Sequence, residues 1–151
     1  MNNTEQSALS FLEDRTVGTL ATVSAEGLPR ARTVYYVSNE LFEIFFFTLA
    51  GTRKVEDINA NHLAAFVVSD GNLPQTLQLE GVLTELPDSS VADPQMQQLF
   101  DVLTARGSDF APLAHLDASR VLFYKLTPTW VRFGDFVRKN STDEVLTEII
   151  S

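Results

Sequence analysis

The chain has 151 residues, 44% hydrophobic, 10% aromatic and 21% charged, the balance of one globular domain that can bury a core without covalent staples. The absence of cysteine excludes a disulfide scaffold, an iron–sulfur cluster, a thiol nucleophile and any thiolate zinc site. A formal charge of −9 argues against nucleic acid or an anionic membrane as the main partner. No apolar run approaches the roughly 20 residues of a bilayer span, and residues 1–10 lack a secretion signal, so a cytoplasmic location is expected.

The opening predicts a short helix capped by Asn3 or Thr4, with Glu5 in its first turn and Ala8, Phe11 and Leu12 on one face. From residue 15 the pattern turns to β. Residues 15–23 and 30–38 read as a hairpin around the Gly27 turn, and 41–49 as a nearly continuous apolar strand buried on both faces. A short helix follows Thr52, with Val55 and Ile58 three apart. Residues 63–69 and 75–86 read as strands, the second with Leu77, Leu79 and Leu83 at period two and a bulge or close backbone approach at Gly81. The clearest helix has Asp93 as cap, Pro94 at its first position, Met96, Leu99, Phe100 and Leu103 as its stripe, and Gly107 as its close. Residues 120–126 and 129–133 read as two strands around Pro128. Ser141-Thr142-Asp143-Glu144 has capping-box spacing, which predicts a terminal helix with Val145, Leu146, Ile149 and Ile150. The order implies an α+β fold, a small and mostly antiparallel β-barrel of about six to seven strands with short flanking helices. One domain spans residues 1–151, with its core at 11–134 and a tail at 135–151. Strand 41–49 and helix 145–150 offer more apolar surface than one small barrel covers, which predicts a dimer.

Common catalytic devices are missing. His62 and His115 lie far apart without a metal-binding spacing, and no Gly-rich phosphate loop or GxSxG elbow occurs. One cluster stands out in Gly51-Thr52-Arg53-Lys54, where two cations open a predicted helix. There the helix dipole disfavours each by about 0.3–1 kcal/mol. A bound phosphate would reverse that sign, held by free N–H groups, the Thr52 hydroxyl, Arg53 and Lys54. The competing reading pairs Arg53 and Lys54 with Asp57 at i+4 and i+3. Arg30 and Arg32 form a second basic pair on one face of the strand that carries Val34 and Tyr36. Tyr35, Tyr36 and Phe45-Phe46-Phe47 read first as packing residues.

In order, these clusters resemble a known family. Phe47-Thr48-Leu49-Ala50-Gly51-Thr52-Arg53-Lys54 is similar to the flavin-phosphate segment Tyr-Thr-x-x-x-Ser-Arg-Lys of pyridoxamine 5′-phosphate oxidases. Arg32-Thr33-Val34-Tyr35-Tyr36 resembles that family's Arg-x-Val-Leu-Leu strand at the same separation, and Leu77-Gln78-Leu79-Glu80-Gly81 its Val-x-Val-Glu-Gly strand. The resemblance implies an FMN-binding split barrel, a homodimer with flavin in grooves between subunits. It implies that Arg53 and Lys54 hold the phosphate with Thr52 nearby, and that Arg32 reaches the phosphate or the ribityl chain. Backbone around Thr33, Val34 and Tyr35 would flank the ring, with Phe47 and Thr48 on the ring or ribityl side. Thr76, or Gln75 beside it, falls where the family has a glutamine touching flavin.

There are departures. Val37 stands where the family has a lysine near flavin and substrate. The family's closing tryptophan and Arg-Leu-His-Asp-Arg segment have no counterpart in Trp130-Val131-Arg132-Phe133-Gly134-Asp135-Phe136. Gly134 takes the tryptophan's place, and Trp130 reads as a strand core residue. This argues against oxidation of pyridoxamine phosphate. The implied function is an FMN-dependent oxidoreductase of a small molecule, with Tyr35, Tyr36 and Arg132 as substrate contacts. The alternatives are a non-enzymatic flavin carrier or sensor, or a barrel that binds the deazaflavin F420 or haem, the last with His62 or His115 as axial ligand.

Overall fold

In the computed structural model, which describes residues 2–104, 121–137 and 145–151, three helices flank one antiparallel sheet. The elements are α1 (Asn3–Glu13), β1 (Val17–Val23), β2 (Pro29–Tyr35), β3 (Val37–Ser38), β4 (Ile44–Leu49) and α2 (Arg53–Ala60). They are followed by β5 (Leu63–Ser69), β6 (Gln75–Leu86), a 3-10 turn at Asp88–Ala92, α3 (Pro94–Thr104), β7 (Val121–Asp135) and β8 (Leu146–Ile150). The Gly107 stop, His115, residue 120 and the 141–144 capping box lie outside the described residues.

Strand order explains the shape. The sheet runs β2-β1-β5-β6-β7-β4-β3, so consecutive strands β2 and β3 end up at opposite ends. One residue, Tyr36, carries the chain from one end to the other and bends the sheet into a barrel. The barrel is split, because β2 pairs on one side with β1 while Phe46–Leu49 of β4 pair on one side with β7. Tyr36 is fully buried, and its hydroxyl donates to the Leu12 carbonyl at 2.7 Å. Burial holds its phenol well above the ordinary tyrosine range. Its ring meets Phe66 edge-on, 5.1 Å between centroids. A phenol so committed cannot also be the substrate contact expected of Tyr36.

Two apolar clusters account for the alternation along the strands. Ala8, Leu12, Leu20, Phe46, Phe66, Leu77, Leu79 and Phe133 fill the barrel beneath α1. Val37, Phe45, Met96, Leu99, Leu103 and Phe123 form a second core between β4 and α3. Strand β4 therefore feeds both cores, which is why residues 44–46 are buried in succession.

Several boundaries differ from expectation. Asn2, rather than Asn3 or Thr4, caps α1, and Glu5 completes a capping box with it. Residues 30–38 divide at Tyr36 into β2 and β3. The two strands expected around Pro128 are one strand, β7. Register slips between Glu80 and Gly81, so Pro128 faces Gly81 at the bulge, where a missing N–H is tolerated. The terminal segment is a strand, not a helix, and β8 pairs with Val131–Gly134. The first half of β7 is already paired by β4, whereas its second half offers an edge that β8 fills. Trp130 is not a core residue. It is half-buried on the outer face, and its indole N–H donates to Glu148 at 3.0 Å.

Candidate functional site

The chain leaves β4 through a turn in which Gly51 takes φ of +78°, a conformation that glycine adopts freely. Thr52 then caps α2. Its hydroxyl accepts from the Val55 amide at 3.4 Å and donates to the Leu49 carbonyl at 3.1 Å. That hydroxyl is thus committed to building the turn, while the first-turn amides of Arg53 and Lys54 have no intrahelical partner.

From this start α2 bridges the two lips of the split. On the β4 lip, Lys54 Nζ donates to the buried Thr48 hydroxyl at 3.2 Å. On the β2 lip, the buried Asp57 carboxylate accepts from Arg30 at 2.9 and 3.2 Å and from Arg32 at 3.4 Å. Arg32 also donates to the buried Thr22 hydroxyl at 2.6 Å. Asp57 therefore pairs with the strand arginines and not with Arg53 or Lys54, so the competing reading of the helix cations fails. Among the described residues no carboxylate lies within ion-pair distance of Arg53 or Lys54.

Four cations thus gather near one carboxylate that binds only two of them, and the effect falls on Arg32 and Lys54. Arg32 is held below its ordinary pKa, first by burial and then by Arg53 and Arg30, with Asp57 opposing. Lys54 is lowered as well, first by burial and then by Arg32. Such a cluster is electrostatically incomplete, and a phosphate is the size and charge that would complete it. The cluster therefore fits a phosphorylated cofactor.

The other expected residues fall in different places. Thr33, Val34 and Tyr35 continue along β2 beside the split, and Val34 turns inward to the core while Thr33 faces out. Tyr35 and Phe47 pack against the α3 cluster, the Phe47 ring lying 5.3 Å from Phe100. Phe47 thus spends its side chain on packing. Gln75 and Thr76 open β6, the central strand of the sheet, and the Thr76 hydroxyl is 3.1 Å from that of Ser69. Strand spacing and rise put them roughly 15–20 Å from Arg32 within one chain. Arg132 is on the outer face. It donates to Gln78 at 2.8 Å, stands 5.2 Å over Trp130, and keeps a buried Nε with no hydrogen-bond partner. With Trp130, Ala21, Ala65 and Val67 it lines a shallow depression of about 410 Å³. Asp57 is the site residue whose role sequence reasoning missed; the available signal was a carboxylate on the buried side of α2.

Among the described residues no group of three histidine, aspartate or glutamate side chains could hold a metal. No helix there is long and apolar enough to cross a membrane.

Comparison with known proteins gives the family and the fold. Two pyridoxine/pyridoxamine 5′-phosphate oxidases are similar in sequence. The one from Anaeromyxobacter dehalogenans is 34% identical over 84 residues, covering 56% of this chain and 42% of the relative. The one from Cupriavidus metallidurans is 29% identical over 136 residues, covering 76% of this chain and 64% of the relative. The chain thus spans less than two thirds of the length of either. Among solved structures, a Clostridium acetobutylicum protein related to general stress protein 26 superposes with a TM-score of 0.71 at 15% identity, covering 99% of this chain and 96% of its own. A pyridoxamine 5′-phosphate oxidase-related, FMN-binding protein of Nostoc punctiforme gives 0.64 at 18%, covering 97% and 94%. The haem storage protein HutZ of Vibrio cholerae gives 0.60 at 18%, covering 82% and 89%. These neighbours share the split-barrel fold while differing in what they bind. The family model for pyridoxamine 5′-phosphate oxidase matches residues 4–134, and the chain belongs to that family.

Proposed function

We propose that the protein binds FMN in the split of its barrel and serves as an oxidoreductase of a small molecule. The observation that carries this reading is the cluster of Arg30, Arg32, Arg53 and Lys54, whose one carboxylate is already shared by two arginines. Arg32, Lys54 and Arg53, with the first-turn amides of α2, would hold the phosphate. Thr48 and Thr22 orient Lys54 and Arg32, and the β2 backbone at Thr33–Tyr35 would flank the ring. When bound, the flavin supplies hydride or electron transfer, and the protein supplies binding and orientation. Val37 is buried against α3, so no cation stands where the family has its lysine, which supports a substrate other than pyridoxamine phosphate.

The proposal includes a homodimer. Gln75 and Thr76 stand about a full flavin length from Arg32 within a chain, and the proposal assigns them to the flavin held by a second copy. The outer-face depression, with its small side chains and the buried Arg132 Nε, suits such a contact better than the two surfaces expected from sequence. Much of β4 is covered by β7 and α3, and 146–150 is a strand in its own sheet. Sedimentation at micromolar concentration should give twice the 16.8 kDa of the chain. A flavin-bound monomer would overturn the shared site.

Titration with FMN tests the cofactor directly. The expected result is quenched flavin fluorescence with a stoichiometry of one per chain; indifference to FMN, or a Soret band from bound haem, would count against it. Affinity should also depend on pH in a stated direction. It should rise as the phosphate loses its second proton near pH 6 (roughly). It should fall again in alkali, earlier than an ordinary lysine titrates, because Lys54 is lowered and must be charged to hold the phosphate. In the ligand-free chain the unfolded state holds its lysine proton more tightly, so this group makes stability rise with pH through the same window.

A further inference from the structure

Among the described residues Asp57 is the one acid paired within the cation cluster, and the phosphate contacts proposed above have no direct use for it. Judged by charge alone, a carboxylate beside a phosphate site weakens binding. Yet its side chain is 4% exposed and it bridges two arginines of β2, taking both oxygens to Arg30 and one to Arg32. It sits one turn along the helix from Lys54, so the contact sets the helix cations in register with the strand cations.

We propose that Asp57 is a positioning residue. With Arg30 it forms a half-buried strut between α2 and β2 that aims Arg32 at the phosphate position. The geometry accounts for the arginine's donors. A guanidinium has five N–H donors in a fixed fork. Arg32 gives one to Thr22 and one to Asp57, which fixes the plane of the group and leaves the rest for an anion. Without the carboxylate, Arg32 would keep its desolvation and face Arg30, Arg53 and Lys54 unopposed, so it would turn toward solvent. Asp57 thus gives up one unit of net attraction and gains orientation, which matters more for a bidentate contact. The inference rests on reading the split as a phosphate site, although the strut itself needs no ligand.

Charge and position predict opposite outcomes, which makes the test decisive. Asp57→Asn should weaken FMN binding at least tenfold in fluorescence titration, although it removes a negative charge, and Asp57→Glu should recover part of the loss. The double variant Arg30→Gln/Asp57→Asn keeps the net charge and removes Arg30 together with its carboxylate, leaving Arg32 as the one strand cation without its partner, so it covers the case in which Asp57→Asn fails to fold. It too should weaken binding, where a pure charge effect predicts no change. Affinity equal to or tighter than that of the unaltered chain, in either folded variant, would overturn the proposal. A second readout does not depend on flavin. In the ligand-free protein, nitrogen-15 NMR should show hindered rotation of the Arg32 guanidinium, released in both variants. If the unaltered chain takes up no FMN, the proposed function fails, and the same NMR comparison still decides the strut: unchanged Arg32 signals reject it.

Discussion

Replacing Arg32 by alanine and Lys54 by methionine together is expected to reduce FMN affinity by about two to four orders of magnitude. The figure follows from removing two charge-assisted hydrogen bonds of about 1.5–3 kcal/mol each. What separates this from ordinary damage is the ligand-free protein. Both cations are disfavoured first by burial, Arg32 also by Arg53 and Arg30 against the pull of Asp57, and Lys54 also by Arg32. Removing them should therefore leave the melting temperature of the ligand-free chain unchanged or higher. Arg53 lies exposed at the mouth of the split, so Arg53→Ala alone should have a smaller effect. Flavin affinity within threefold of the parent in the double variant would remove the phosphate from this site.

The second large effect concerns the fold. At Gly81 an added methyl would lie 2.1 Å from the Thr127 carbonyl oxygen and 3.0 Å from Pro128 Cα, both backbone atoms of the neighbouring strand. No rotamer change relieves that contact, so β6 and β7 must separate at the bulge they share. Gly81→Ala should lose about 3 kcal/mol of stability, roughly 10 °C in Tm for a domain of this size. Gly71, with nothing within 4 Å of its added methyl, is the control, and Gly71→Ala should shift stability by less than about 0.5 kcal/mol. Thermal unfolding of the two variants side by side checks this, and equal melting temperatures would mean the sheet accommodates the methyl.

How legible these features were depended on whether the deciding interaction was local. Strand β6 and its irregular Gly81 could be read because leucines at period two and a lone glycine are statements about neighbouring residues. The start of α2 could be read for a similar reason, since two cations at a helix N-terminus conflict with the local dipole. The terminal segment could not. Leu146, Ile149 and Ile150 satisfy helical spacing and strand propensity alike, and the choice was made by an open edge on β7. Pro128 looked like a break because its missing N–H matters in a regular ladder, and only the register slip opposite Gly81 excuses it. The same limit applied at the site. Asp57 lies 27 and 25 residues from the arginines it holds, so the spacing within α2 favoured the wrong partners. Tyr36 looked available for chemistry until the fold gave its hydroxyl to α1.

The crossing at Tyr36 has a mechanical consequence. Strand β2 forms one wall of the slot and the chain passes through Tyr36 into β3, which pairs with β4 in the other wall, so a single residue whose ring is locked in the interior joins the two. At that end their separation is fixed by covalent bonds, and at the opposite end only by the side-chain contacts of α2. The slot is therefore built like a clothes-peg, with a covalent pivot at one end and charged jaws at the other.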